Sequence, residues 1–276
     1  MSSSAQDILF QRLRIAGLLL LAALFAVVLY RTAWLCDDAY ITYRSIDNVV
    51  HGHGLTFNPG ERVQTFTHPL WALVHVPAYA IIGDIYDTGI LLTFLFSGLA
   101  VALLCLKIAE TPSRKALALL AVLFSTAWMD YATSGLENPM THVLLIAFAW
   151  IYLDRERGRR TLFYLALLTG LGAMNRMDTV LLFGPVLAWE FWRQRGWREV
   201  GTVAMGLAPF LLWEAFALFY YGFPFPNTAY AKLNLATADG VLSAQGWHYF
   251  WHTIRWDPLT IVLILSGLVA PFVARN

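Results

Sequence analysis

Two adjacent carboxylates, Asp37 and Asp38, open a short amphipathic stretch in a chain that is otherwise poor in charge. From Ala39 to Val50, Tyr43, Ile46, Val49 and Val50 recur at helical spacing with Arg44, Asp47 and His51 opposite, which predicts a surface helix carrying both carboxylates at its N-terminus. One aspartate suffices to cap a helix. Successive helical residues point about 100° apart, so the second carboxylate is left to face something else. Proton transfer is the first use for such a group, and holding a divalent cation is the second.

Three further segments carry polar residues that could work with this pair. The first is Asp130-Tyr-Ala-Thr-Ser-Gly-Leu-Glu137, the second Asn175-Arg176-Met177-Asp178, and the third Phe223-Pro224-Phe225-Pro226-Asn227-Thr228-Ala229-Tyr230-Ala231-Lys232. Asn58-Pro59-Gly60 makes a turn before Glu61 and Arg62, and Thr65, Thr67 and His68 follow. Any one of these is weak alone, because a charge pair near a membrane can be an interfacial salt bridge. Together they would form a polar pocket that takes one substrate from lipid and another from water.

The elements that must position these residues are membrane helices. Of 276 residues 58% are hydrophobic and 13% charged, too apolar for an ordinary soluble domain. Crossing a bilayer takes roughly 20 apolar residues. Spans are expected at Ile15 to Trp34, Gly89 to Ile108, Lys115 to Trp128, Pro139 to Leu153, Leu162 to Met174, Thr179 to Phe191, Gly201 to Tyr220 and Leu259 to Val273. The fold class is therefore all-α, a polytopic transmembrane bundle of about eight spans, read as a single module over residues 1–276. Pro69 to Ile82 is shorter and contains two prolines, so it is expected to be re-entrant or interfacial.

With the N-terminus inside, most of the 19 basic residues fall on the cytoplasmic side, as translocation requires. That orientation puts residues 35–88 and 221–257, and every polar segment above, outside. The first span reads as a signal anchor in the cell (inner) membrane. A net charge of +1 gives no sign of nucleic-acid binding. Cys36 and Cys105 lie at different depths, so no disulfide joins them in this reading. His248 and His252 have the i,i+4 spacing of a metal pair, but the surrounding Trp247, Tyr249, Phe250, Trp251 and Trp256 suit an interfacial aromatic belt better.

Asp37-Asp38-Ala-Tyr-Ile-Thr-Tyr-Arg44, then His53-Gly54-Leu-Thr-Phe-Asn58-Pro59-Gly60-Glu61-Arg62-Val63, with Thr67 and Leu70-Trp71, resembles the first external loop of membrane glycosyltransferases of the C superfold. Within that group it is most similar to the actinobacterial terminal arabinofuranosyltransferases. Ala132-Thr133-Ser134-Gly135-Leu136-Glu137, the Arg176 segment, Tyr220-Tyr221-Gly222 and Pro226 to Lys232 continue the likeness in order. It implies sugar transfer, arabinofuranose being one candidate, from a polyprenyl-phosphate donor to a cell-envelope glycan or lipid acceptor. Asp37 or Asp38 would be the general base, Asp37 being favoured. Arg176 and Lys232, with Arg44 or Arg62, would stabilise the departing phosphate, Glu137 and Asp178 would orient these cations or bind sugar hydroxyls, and Asn227 and Tyr230 would complete the substrate contacts.

Two departures accompany the resemblance. Met177 stands where relatives commonly have proline, and relatives continue past this length into further spans and a globular external domain. Two rival expectations follow: a phosphate-binding module that needs a partner chain for the missing part, or a transporter lined by the same charges. Transporters place such charges near the midplane and often repeat internally, and neither pattern is seen here.

Overall fold

The computed structural model describes residues 3–153, 157–228, 230 and 241–273. Lys232 lies outside the described residues, as do Arg155 and Arg275, two of the basic residues expected on the cytoplasmic side.

Among the described residues thirteen α-helices follow one another and no strand occurs. They are α1 (Ser3–Arg31), α2 (Asp37–Val50), α3 (Pro69–Ile82), α4 (Ile85–Leu103), α5 (Pro112–Phe124), α6 (Thr126–Tyr131) and α7 (Asn138–Leu153). Then come α8 (Arg159–Asn175), α9 (Val180–Gln194), α10 (Trp197–Gly206), α11 (Ala208–Tyr221), α12 (Val241–Trp256) and α13 (Pro258–Val273). A π-turn, Leu104–Ile108, extends α4, and a 3-10 turn, Met177–Thr179, precedes α9.

Local chemistry sets many of these ends. Asp84 caps α4 by accepting from the Asp87 N–H at 2.9 Å, and Ser125 accepts from the Trp128 N–H at 3.3 Å to start α6. Pro69 sits in the first turn of α3, where its missing N–H costs nothing, and Gly83 closes that helix at φ +80°.

Two helical stretches, Gln6–Arg31 and Ile85–Ile108, are long and apolar enough to cross a membrane unaided. Two bent pairs raise the number to four if each crosses as one: α10 with α11, bent by 60°, and α12 with α13, bent by 105°. The stretches expected from Pro139, Leu162 and Thr179 are helices of 16, 17 and 15 residues, short for a crossing without their polar flanks. Lys115 to Trp128 is broken at Ser125, and Gly201 to Tyr220 at Leu207. Pro69 to Ile82 is one continuous helix despite Pro77, and its Trp71 and His75 are fully buried.

Helix α8 is the axis of the bundle, with α3, α7, α9, α10 and α11 packed around it. It can be so central because its outward positions are small. A Cβ on Gly172 would fall within 3 Å of the Phe183 ring, so the aromatic side chain of α9 sits in the glycine's place. Gly206 at the end of α10 meets backbone as well as side chain, as its Cβ would stand 2.6 Å from the Ala166 Cβ and 2.8 Å from the Phe163 carbonyl oxygen. Small residues let membrane helices approach backbone to backbone, and the approach itself supplies the packing energy. Gly206→Ala is therefore expected to force α8 and α10 apart and cost about 1–3 kcal/mol. Gly201→Ala on the same helix meets nothing within 4 Å and should leave the melting temperature unchanged or raised. Equal melting temperatures for the two variants in detergent would refute this packing account.

At the end of α9, Glu190 is almost wholly buried and accepts from Arg157 at 3.0 Å, Gln194 at 2.9 Å and Arg193 at 3.4 Å. Arg157 and Arg193 thus neutralise a buried carboxylate.

Candidate functional site

The loops singled out in the sequence meet at the ends of α2, α3, α7, α8 and α11. Gly135 is their hub. Its φ of +80° is a conformation that favours glycine, and its carbonyl accepts from Trp71 Nε1 at 2.9 Å and from the Tyr43 hydroxyl at 3.4 Å. Beside it the Cys36 N–H reaches the Ser134 carbonyl at 2.8 Å, which ties the start of α2 to the same loop.

Two residues further on, Glu137 points inward and organises the site. Its Oε1 accepts from Arg176 Nη1 at 3.0 Å, and its Oε2 lies 3.2 Å from His68 Nδ1. Asn175, fully buried, donates to the Glu137 carbonyl at 3.1 Å and to the Thr141 hydroxyl at 2.9 Å, fixing the backbone on both sides of the pair. Arg176 then forks onto Asp178, with Nε to Oδ1 at 3.1 Å and Nη2 to Oδ2 at 2.8 Å. The fork holds Asp178 below the usual carboxylate range and keeps the Arg176 guanidinium firmly charged.

Burial holds the His68 pKa below its ordinary value, against the pull of the Glu137 carboxylate. A neutral ring facing an acceptor-only carboxylate must carry its proton on Nδ1. Nε2 then accepts from the Thr42 hydroxyl at 2.8 Å, so a continuous chain runs from Thr42 through His68, Glu137 and Arg176 to Asp178.

Arg176, Glu137 and Asp178 line a cavity of about 300 Å³ together with Gln64, Trp213, Glu214 and the Pro224–Pro226 segment. The expected convergence is therefore met for these three. Asp37 and Asp38 are exposed at the first turn of α2 and do not line this cavity. Asp37 Oδ1 accepts from the Cys36 thiol at 3.3 Å and from the Asp38 N–H at 3.0 Å, and the thiol contact foremost holds its carboxyl below the usual range.

The other named residues have structural partners. Arg44 donates to the Phe57 carbonyl at 2.9 Å and to Asn58 Oδ1 at 3.1 Å, with its guanidinium over the Phe57 ring, so it clamps the loop after α2. Arg62 lies over the Tyr220 ring at 5.0 Å. Asn227 exchanges two bonds of 3.1 Å with the Gln64 backbone, and Tyr230 packs on Phe223. No group of three or more His, Cys, Asp or Glu side chains placed to hold a metal ion is found among the described residues.

His68 and Asn175 were visible in the sequence without a role. Glu214 was missed. A single acid inside an apolar run is itself a signal of function, and the hydropathy of its neighbours conceals it.

Comparison with known proteins adds what geometry alone cannot. The chain is 29% identical over 267 residues to the terminal beta-(1->2)-arabinofuranosyltransferase of Mycobacterium tuberculosis, a match covering 89% of this chain and 42% of that protein. It is 26% identical over 244 residues to the protein of the same description from Corynebacterium glutamicum, covering 78% of this chain and 35% of the other. Its relatives are terminal arabinofuranosyltransferases. The chain spans less than half the length of either. No protein-family model matches it, and no solved structure matches it significantly.

Proposed function

We propose that this chain is the membrane part of a glycosyltransferase that takes its sugar from a polyprenyl-phosphate donor at the outer face of the cell membrane. The observation that carries the reading is the placement of Arg176, partly exposed on the wall of a cavity whose apolar faces include Trp213 and the Pro224–Pro226 segment. A cation beside apolar walls suits a phosphate with a hydrocarbon tail. In the reaction an acceptor hydroxyl oxygen attacks the anomeric carbon while the bond from that carbon to the phosphate oxygen breaks. The hydroxyl proton passes to a carboxylate, for which Asp37 is the candidate, and the lipid phosphate leaves against Arg176.

Asp178 complicates this picture usefully. Its carboxylate occupies the fork a phosphate would use, yet it is 59% exposed and bound to a partly exposed arginine, a pairing that contributes no more than about 1 kcal/mol. A phosphate can displace it. Binding of farnesyl phosphate to the chain in nanodiscs is expected to weaken about 10- to 100-fold in Arg176→Ala, which removes charge-assisted bonds. It should tighten up to about fivefold in Asp178→Asn, which removes the competing anion. Binding indifferent to both substitutions would reject the phosphate site.

A further inference from the structure

Two residues that line the Arg176 cavity each carry a buried acceptor oxygen with no protein hydrogen-bond partner among the described residues. One is Glu214 Oε2 on α11, and the other is Gln64 Oε1 in the loop before α3. Gln64 is only 1% exposed, and its orientation is fixed: Nε2 donates to the Phe66 carbonyl at 3.2 Å, which leaves the oxygen as the free end. Its backbone is held by the two bonds to Asn227. Burying an acceptor without a donor costs about 1–3 kcal/mol, and two in one small cavity call for an explanation.

The chemistry they lack is a pair of hydrogen-bond donors. A phosphate cannot supply it, since it only accepts and Glu214 would repel it. Ring hydroxyls can. Trp213 and Phe225 in the same wall offer flat apolar faces for the C–H side of a sugar ring, and about 300 Å³ lies at the small end of ligand sites.

We infer that Glu214 and Gln64 read the sugar, accepting hydrogen bonds from two of its hydroxyls while Arg176 holds the phosphate. This rests on the donor reading above. The ligand class is a glycosyl phosphate whose sugar is uncharged, because an acidic sugar would meet the Glu214 carboxylate. Specificity of this kind is strong, since an analogue lacking a hydroxyl leaves a buried acceptor unmatched.

The test compares two probes, farnesyl phosphate and farnesyl phosphoryl arabinofuranose, on the full chain in nanodiscs. The wild-type protein should prefer the sugar-bearing probe. Glu214→Leu and Gln64→Met should each lose about tenfold or more in affinity for it, and bind the sugar-free probe no more weakly than wild type. The melting temperature of Glu214→Leu should be equal to or above that of wild type, because an unmatched buried acceptor has been removed. A merely structural carboxylate would behave oppositely, with a lowered melting temperature and both probes weakened alike. That result overturns the inference, as does an unchanged sugar preference in both variants. Arg176→Ala should weaken both probes. If it weakens neither while Glu214→Leu still erases the sugar preference, the phosphate reading fails and the sugar contact stands.

Discussion

Replacing Asp37 with asparagine is expected to lower sugar transfer by about 10²- to 10⁴-fold, the range that a positioned general base contributes. The amide keeps the shape of the side chain and an oxygen for the first turn of α2, so the fold and donor binding should survive. Asp37 is exposed and ionised at neutral pH, with the Cys36 thiol and the Asp38 N–H both on Oδ1. Because the thiol contact holds the carboxyl low, Cys36→Ala should raise its pKa and move the acid limb of the rate profile to higher pH. Asp38→Asn should cost far less. In a preparation that transfers sugar, wild-type turnover by Asp37→Asn would remove Asp37 from the mechanism. Glu214 would then be the next carboxylate to try, since it lines the Arg176 cavity and Asp37 does not.

The second large effect is expected at Glu137. Its side chain is 8% exposed, and its two oxygens serve His68 and Arg176 separately. Glu137→Leu strands a buried imidazole N–H and takes the 3.0 Å acceptor from Arg176 Nη1. Breaking a buried pair from one side costs about 3–5 kcal/mol, and the low end applies because Arg176 reaches solvent. Donor binding should fall as well, since Arg176 loses the contact that aims it. The same network sets a pH dependence. His68 has a folded-state pKa below its unfolded value, so the unfolded chain takes up the proton first. Stability is then complete above about pH 6.5 and declines as pH falls from there through the folded value. His68→Gln, which cannot titrate, should flatten that decline in a melting-temperature profile measured across the acid range. An unaltered profile would assign it to other groups.

Much of this arrangement was legible in the sequence. The α2 pattern was readable because Tyr43 and Ile46 recur at helical spacing, and both are buried as that spacing requires. Glu137, Arg176 and Asp178 could be brought together from topology alone, since charges in successive loops on one side of a bundle have few places to go. What stayed hidden were choices between partners. Nothing in Arg44 as a residue says that it will turn back to the Phe57 carbonyl, or in Arg62 that it will stack on Tyr220. Hydropathy averages also missed the breaks at Ser125 and Leu207, because the chain is apolar on both sides of each bend. Pro69 to Ile82 was harder for a different reason. Its helix is stabilised by burying Trp71 and His75 against the protein, which a lipid-based reading does not consider.

One detail of the C-terminal helices bears on how the molecule responds to force. At the elbow between α12 and α13, Asp257 Oδ2 accepts from the Ala127 N–H at 2.8 Å, the Ser125 hydroxyl at 3.2 Å and the Thr260 hydroxyl at 2.8 Å. Beyond it, Leu263 and Ile264 border a cavity of about 620 Å³ shared with α5. The pair is therefore tied to the break between α5 and α6 by this carboxylate, with the Ser125 and Thr260 hydroxyls 2.8 Å apart and the Thr126 hydroxyl donating to the Trp256 carbonyl at 3.2 Å. Tension along α13, from bilayer thinning or a neighbouring protein, would enter the bundle at Ser125 and pass through α6 into the loop of Gly135 and Glu137. The anchor of this elbow and the polar centre around Glu137 lie on one short stretch of chain.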